Sequence, residues 1–302
     1  MSVPSGRRLV ITLSCPDRTG IVAAITGRLA AIGASITEAA YHADVDAGWF
    51  VTRQVVDSAS VPGGADVLRA VVGQVAAELE VPGGEPVRWH VRDTAESPRV
   101  VILVSRESHC LHDLLGRVWG GELDMDVRAV VGNHEVLRPI AAAHGVPFHH
   151  VPFPARAQDD EARTGRDAAF AQVAALVDEH DPAAIVLARF MQVLTPALCD
   201  RWAGRAINIH HSFLPSFMGA RPYHQAHARG VKLVGATCHY VTADLDAGPI
   251  IEQDVIRIDH ADTPEDMVRR GRDVEKLVLA RGLRAHLEDR VQVHAGRTVV
   301  FR

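Results

Sequence analysis

Cysteine is scarce in this chain. Cys15, Cys110, Cys199 and Cys238 are the only four, far apart and without a Cys-x-x-Cys pair, so a disulfide framework is excluded and free thiols in a cytoplasmic protein are the expectation. Long apolar runs are missing too: none approaches the ~18 residues of a membrane span, and no charged-then-apolar leader follows Met1, so no membrane partner is expected. Positive charge is not in excess. Lys plus Arg number 32 against 37 Asp plus Glu, a net charge of −5 whose field does not gather polyanions, and nucleic acid is not an expected partner. What is present is an ordinary globular composition, 47% hydrophobic and 23% charged over 302 residues. That suffices for roughly two domains whose cores need no disulfide or metal staple.

The first pattern runs from Leu9 to Arg92. Leu9-Val10-Ile11-Thr12-Leu13 reads as a strand, Cys15-Pro16-Asp17-Arg18-Thr19-Gly20 as a break, and residues 21–32 as an apolar-periodic helix stopped by Gly33. Residues 35–45 and 49–56 flank the hairpin signal Asp46-Ala47-Gly48, residues 67–79 return to helical period, and residues 86–91 supply a last strand. The order βαββαβ is the ferredoxin-like plan, one antiparallel sheet with a single face buried beneath two helices. Asp17-Arg18-Thr19-Gly20-Ile21-Val22, with Leu29 and Gly33-Ala34-Ser35-Ile36, resembles the start of an ACT regulatory domain. Gly20 lets the chain turn tightly at the helix N-terminus, where unpaired N–H groups and the dipole can receive a carboxylate. Equally, Asp17 can simply cap that helix and Gly20 simply permit the turn. The resemblance makes Asp17, Gly20 and Ile21 the candidate regulatory-ligand residues.

Glu96-Ser97-Pro98 marks a boundary, giving an expected regulatory domain at 1–93, a linker at 94–99 and a second domain at 100–302. Beyond it, strands at 100–104, 125–131, 147–151, 184–187 and 206–209 alternate with helices at 111–119, 137–143, 168–178 and 195–202. Continuous apolar strands separated by helices are the mark of an α/β, doubly wound, mostly parallel sheet, whose ligands lie beyond the carboxyl ends of its strands. Residues 291–293 and 298–301 around Ala295-Gly296 read as a terminal hairpin.

At one such carboxyl end, Asn208 and His210 stand two apart, so an extended chain aims an amide donor and an imidazole at the same side while His211 faces away. Residues 235–241 form a further strand that runs into Thr242-Ala243-Asp244-Leu245-Asp246-Ala247-Gly248-Pro249, a tight acidic loop from which Asp244 or Asp246 can face the pair. Spacing alone leaves these residues equally readable as hydrogen-bonded loop and turn chemistry.

Asn208-Ile209-His210, Leu214-Pro215 and Asp246-Ala247-Gly248-Pro249-Ile250, the last set beginning thirty-six residues past the histidine, are together similar to the folate-dependent formyltransferase domain. Phe190-Met191-Gln192-Val193-Leu194 looks like that family's folate-contacting segment. The ACT-like module stands ahead, joined by Ser108-His109-Cys110-Leu111 and by His211-Ser212-Phe213-Leu214-Pro215-Ser216-Phe217 with Gly219-Ala220-Arg221-Pro222-Tyr223-His224-Gln225. With these, the chain from about Leu9 to Phe301 resembles the formyltetrahydrofolate deformylase family.

The resemblance implies hydrolysis of 10-formyltetrahydrofolate to formate and tetrahydrofolate, regulating the one-carbon pool and supplying formate for purine synthesis. Attack on the amide-like formyl carbon creates an oxyanion and then requires a leaving amine. On the family pattern Asn208 and His210 donate to the oxyanion, and Asp246 holds the histidine and acts as base. The pterin would lie against the backbone of Met191, Gln192, Val193 and Leu194, with His239, Thr242, Ala243, Asp244 and Leu245 on its other side. No cofactor is implied. Glycine or methionine is the expected effector at the ACT-like module, and pairing of edge strands implies a homo-oligomer.

Two alternatives stay open: formyl transfer to an amine acceptor, and a non-catalytic folate or amino-acid sensor. The position of a Gly-rich phosphate loop reads Ser105-Arg106-Glu107-Ser108-His109-Cys110, without glycine, which speaks against a phosphorylated acceptor. His109-Cys110-Leu111-His112 lacks the further ligands of a metal site, so a metal-free centre is expected. His134 is a candidate for lining the cleft, and Cys238 for packing.

Overall fold

A computed structural model describes residues 6–154, 160–216 and 222–302. Phe217, Gly219, Ala220 and Arg221 of the motif above lie outside the described residues. The chain divides into two units: residues up to Ser97 together with Glu288–Arg302, and Pro98–Leu287.

The first unit contains β1 (Arg8–Pro16), α1 (Ile21–Ala31), β2 (Ile36–Asp44), β3 (Trp49–Asp57), α2 (Gly64–Leu79) and β4 (Arg88–Asp93). Its sheet runs β2-β3-β1-β4 with antiparallel neighbours, the ferredoxin-like order. Leu9, Ile11, Leu13 and Cys15 alternate onto one face of β1 and meet Ile21, Ile25 and Leu29 of α1 and Leu68, Val72 and Val75 of α2. Burying each such side chain contributes about 1.5–3 kcal/mol. Two expectations are corrected. α1 is entered through Gly20 at φ 98° with no side-chain cap, and Asp17, exposed, engages through its backbone N–H to Gly48 O at 2.8 Å instead of capping the helix. The other side of the sheet is not open either, since Val10, Thr12 and Ser14 are buried as well.

The second unit contains β5 (Arg99–Val104), α3 (His109–Trp119), β6 (Asp126–Gly132), α4 (Arg138–Ala143), β7 (Phe148–His150), α5 (Asp160–His180), β8 (Ala184–Ala188), α6 (Pro196–Arg201), β9 (Ala206–His210), α7 (Pro222–Ala228), β10 (Leu233–Tyr240), β11 (Ile250–Arg257) and α8 (Pro264–Leu287). The sheet order is β11-β10-β9-β8-β5-β6-β7. β5 to β9 are parallel, and β10 runs antiparallel between β9 and β11. Val100 to Val104 and Ala184 to Ala188 are buried throughout, as strands covered on both faces must be. The order reverses between β5 and β8, which leaves a crevice beyond their carboxyl ends.

The expected second domain ends early. β12 (Val291–His294) and β13 (Arg297–Val300) belong to the first unit, correcting the assignment of residues 288–302. His294 stacks on Trp49 with ring centroids 4.1 Å apart and planes 3° from parallel, Asp289 pairs with Arg92, and Arg297 lies 3.0 Å from Asp44.

Candidate active site

A cavity of about 730 Å³ lies within the second unit at the carboxyl ends of β8 and β9. Asn208, His210 and Asp246, named from two separate stretches of sequence, all line it.

Their protonation pattern follows from their partners. His239 sets its Nδ1 2.9 Å from the Tyr240 carbonyl oxygen, which only accepts, so Nδ1 carries the hydrogen. Burial lowers the His239 pKa and keeps the ring neutral, which leaves Nε2 as a lone pair. Asn208 Nδ2, 3.1 Å away, therefore donates to it. The Asn208 amide is locked, with its second N–H and its carbonyl left without a partner among the described residues. His210 Nδ1 lies 3.3 Å from Asp246 Oδ1. Burial works to raise the Asp246 carboxyl, but the His210 hydrogen bond and the neighbouring histidines outweigh it and hold the group below the usual carboxylate range. His210 Nε2 is buried and has no hydrogen-bond partner among the described residues, an orphan of the kind a substrate oxygen would satisfy. Asp246 sits at φ 55°, in the left-handed region that Asp tolerates better than most residues.

Met191, Gln192, Val193, Leu194, Thr242, Ala243 and Leu245 also line the cavity, around an apolar interior that includes Leu187, Phe190 and Ile209. Met191 N–H is already taken by Ser105 Oγ at 2.9 Å, so part of the backbone expected to face a ligand is engaged by the protein. Two sequence expectations are corrected. Asp244 is exposed and does not line the cavity; its carbonyl accepts from Thr242 Oγ1 at 3.0 Å as part of the turn. His239 has both ring nitrogens used by the protein, which makes it a positioner of Asn208 and leaves only its carbon edge for a ligand.

Glu275 and Arg189, outside the motifs, line the same cavity together with the motif residues His109, His211 and Tyr223. Glu275 on α8, 1% exposed, takes His109 Nε2 at 2.8 Å and the Tyr223 hydroxyl at 3.0 Å, with Arg189 Nε at 3.5 Å. Burial pulls its pKa up, yet the His109 hydrogen bond and the Arg189 charge outweigh that and keep it lowered. Arg189, at φ 63°, also donates through Nη1 to His211 Nδ1. His211 thus faces the same cavity as His210, with ring centroids 5.2 Å apart, and does not face away; β9 ends at His210, and strand alternation ends with it. His109, Cys110 and Glu275 bring donor atoms within 4.8 Å of one another. Glu275 is already held by three protein groups and burial pushes the Cys110 thiol up, so the trio fits an ion-pair network better than a metal site.

His134 does not line the cavity, and Cys238 is a buried thiol packed in the position that a side chain at Gly282 would need. Asp17, Gly20 and Ile21 lie at the β1–α1 turn of the first unit; the Ile21 side chain is buried in the core, so only its backbone is available to a ligand there.

A doubly wound sheet with an amide, an imidazole and a carboxylate converging beyond its strands defines the formyl-transfer class of folds, and a family model described as "Formyl transferase" matches residues 98–283. A formyltetrahydrofolate deformylase of Corynebacterium sp. strain P-1 is 42% identical over 98% of both chains. The crystal structure of a formyltetrahydrofolate deformylase from Pseudomonas syringae pv. tomato superimposes with TM-score 0.93 at 50% identity, covering 99% of this chain and 96% of that one. A glycinamide ribonucleotide transformylase from Symbiobacterium toebii gives TM-score 0.62 at 27% identity over 70% of this chain and 97% of its own. The chain belongs to the formyltetrahydrofolate deformylase family. No helix among the described residues is long and apolar enough to cross a membrane.

Proposed function

We propose that this protein hydrolyses 10-formyltetrahydrofolate to formate and tetrahydrofolate in the cytoplasm, without a cofactor. The observation that carries the reading is the convergence of Asn208, His210 and Asp246 on one cavity, with the buried His210 Nε2 left without a partner. The formyl oxygen sits between the free Asn208 N–H and a protonated His210 Nε2, whose hydrogen bonds strengthen as charge develops. Water attacks the formyl carbon and gives its proton to the Asp246 oxygen that His210 does not hold. The tetrahedral intermediate then expels N10, which takes that proton. The purified chain should release formate from 10-formyltetrahydrofolate in buffer with no added acceptor; silence without an acceptor and turnover with one would make it a transferase. Glu107 supports water over a phosphorylated acceptor, because it places a carboxylate, paired with Arg272 at 2.7 Å, in the loop after β5 where a phosphate cradle would lie.

The first unit is read as an effector module acting on this hydrolysis, controlling the one-carbon pool and the formate available to purine synthesis. Glycine or methionine would place its carboxylate at the uncapped start of α1, near Asp17, Gly20 and the backbone of Ile21. The outer edge of β2, largely exposed and without a strand neighbour among the described residues, supports pairing with a second copy. Isothermal titration with both amino acids and light scattering test the two points.

A further inference from the structure

The mechanism above leaves the attacking water unheld on the side away from Asp246, and it leaves a network of five side chains lining the same cavity without a task. An arginine only donates, so the contact of Arg189 Nη1 with His211 Nδ1 requires that nitrogen to be a lone pair. His211 is thereby fixed as the neutral ring with its hydrogen on Nε2. Arg189 is in turn fixed by Glu275, which is aimed by His109 and by the Tyr223 hydroxyl. Gly271 of α8 leaves the space: a Cβ there would lie 2.0 Å from the Tyr223 oxygen. No described residue takes the His211 Nε2–H, and the ring lies beside His210 at the cavity wall.

We infer that His211 holds the nucleophilic water, its Nε2–H donating to the water oxygen, and that Arg189 and Glu275 are positioning residues that keep it in this tautomer. The inference rests on the hydrolytic reading. A water so held gives one hydrogen to Asp246, receives one hydrogen bond from His211, and keeps a lone pair for the formyl carbon. The new bond is carbon to water oxygen, the broken bond is carbon to N10, the water's proton passes through Asp246 to N10, and the formic acid released gives its own proton to solvent. A His211 free to change tautomer would present a lone pair to the water and compete with Asp246 for its hydrogens. The charged and titratable groups around the ring are Arg189, Glu275, His210, Asp246 and Tyr223.

The test uses the full chain and three variants. His211→Phe keeps an aromatic ring without the donor and should lower kcat on the order of 100-fold at nearly constant KM, the loss expected when a reactant is no longer positioned. His211→Gln, which can again donate an N–H, should recover part of that loss. In nitrogen-15 spectra, the histidine signal that disappears in His211→Phe should report the Nε2–H form unchanged between about pH 5.5 and 8, and in Arg189→Met, which removes the donor to Nδ1, a second, Nδ1–H form should appear beside it. Wild-type turnover with an equally active His211→Phe, or a wild-type His211 signal that titrates or carries its hydrogen on Nδ1, overturns the inference alone. A wild-type enzyme that releases no formate overturns the hydrolytic reading and the inference with it. The spectrum of the wild-type protein decides even where a variant does not fold.

Discussion

Asn208 is oriented by a histidine that offers no polar atom of its own to the ligand. Because His239 spends Nδ1 on the Tyr240 carbonyl and Nε2 on the Asn208 amide, His239→Phe should free the amide to rotate and reduce kcat while leaving the fold intact. Asn208→Ala should cost on the order of 100-fold in kcat, and Asp246→Asn should abolish turnover while sparing folate binding; stopped-flow formate release and ligand-induced fluorescence separate the two effects. His211 adds a pH dependence to stability. Burial, with the Arg189 charge, pushes its pKa down to about 3, so the unfolded chain binds a proton that the folded chain refuses as pH falls from the ordinary histidine value towards 3. Stability therefore drops on acidification, by about 1.4 kcal/mol per pH unit for one such proton. Urea midpoints between pH 7 and 5 should fall less steeply for His211→Phe than for wild type.

At this scale the sequence exposed the chemistry and concealed its support. Asn208 and His210 could be placed on one side by strand alternation, whereas Asp246 was singled out by the family resemblance alone. Asp244 was indistinguishable from Asp246 by type and neighbourhood; only the turn decides which carboxylate looks inward. Glu275 and Arg189 are brought to the site by contacts across long stretches of chain, which no local pattern reports. One signal existed for Glu275: it interrupts the buried stripe of Met267, Val274, Val278 and Leu279 on α8.

The element that matters most to the site beyond β9 is α8. It covers the antiparallel edge of the sheet and brings Glu275 to the cavity, and two glycines on it accept neighbours at distances no side chain allows. Gly271→Ala would drive its Cβ into the Tyr223 hydroxyl, so we expect a loss of about 1–3 kcal/mol from overpacking and a fall in kcat as Tyr223 leaves Glu275; thermal melts and steady-state rates check both. Elements were the most readable level of this chain. The parallel strands announced themselves as unbroken apolar runs because both their faces are covered, β1 as a short β-rich run and α1 by its apolar period. The α1 boundary came within a residue, and only the cap read from residue type failed: Asp17 has the chemistry of a helix cap, but the turn through Gly20 carries it away.

For the molecule as a whole, the division at 97/98 was visible in Glu96-Ser97-Pro98, while the return of residues 288–302 to the first unit was not. A hairpin reads the same wherever it packs, and the stacking of His294 on Trp49 joins positions far apart in sequence. A chain ending at Leu287 should keep its second unit and lose resistance in its first: limited proteolysis should cut within residues 6–97 while the fragment 98–287 survives. Equal protection of both would show the hairpin to be dispensable.

The same return has a consequence for biosynthesis. Residues up to Ser97 must wait until residues 288–302 are made before Trp49, Arg92 and Asp44 find their partners, so the first unit is completed only after the second has been synthesised. A translation product broken off anywhere upstream of the hairpin therefore carries its own defect in the open, and cellular proteases can discard it.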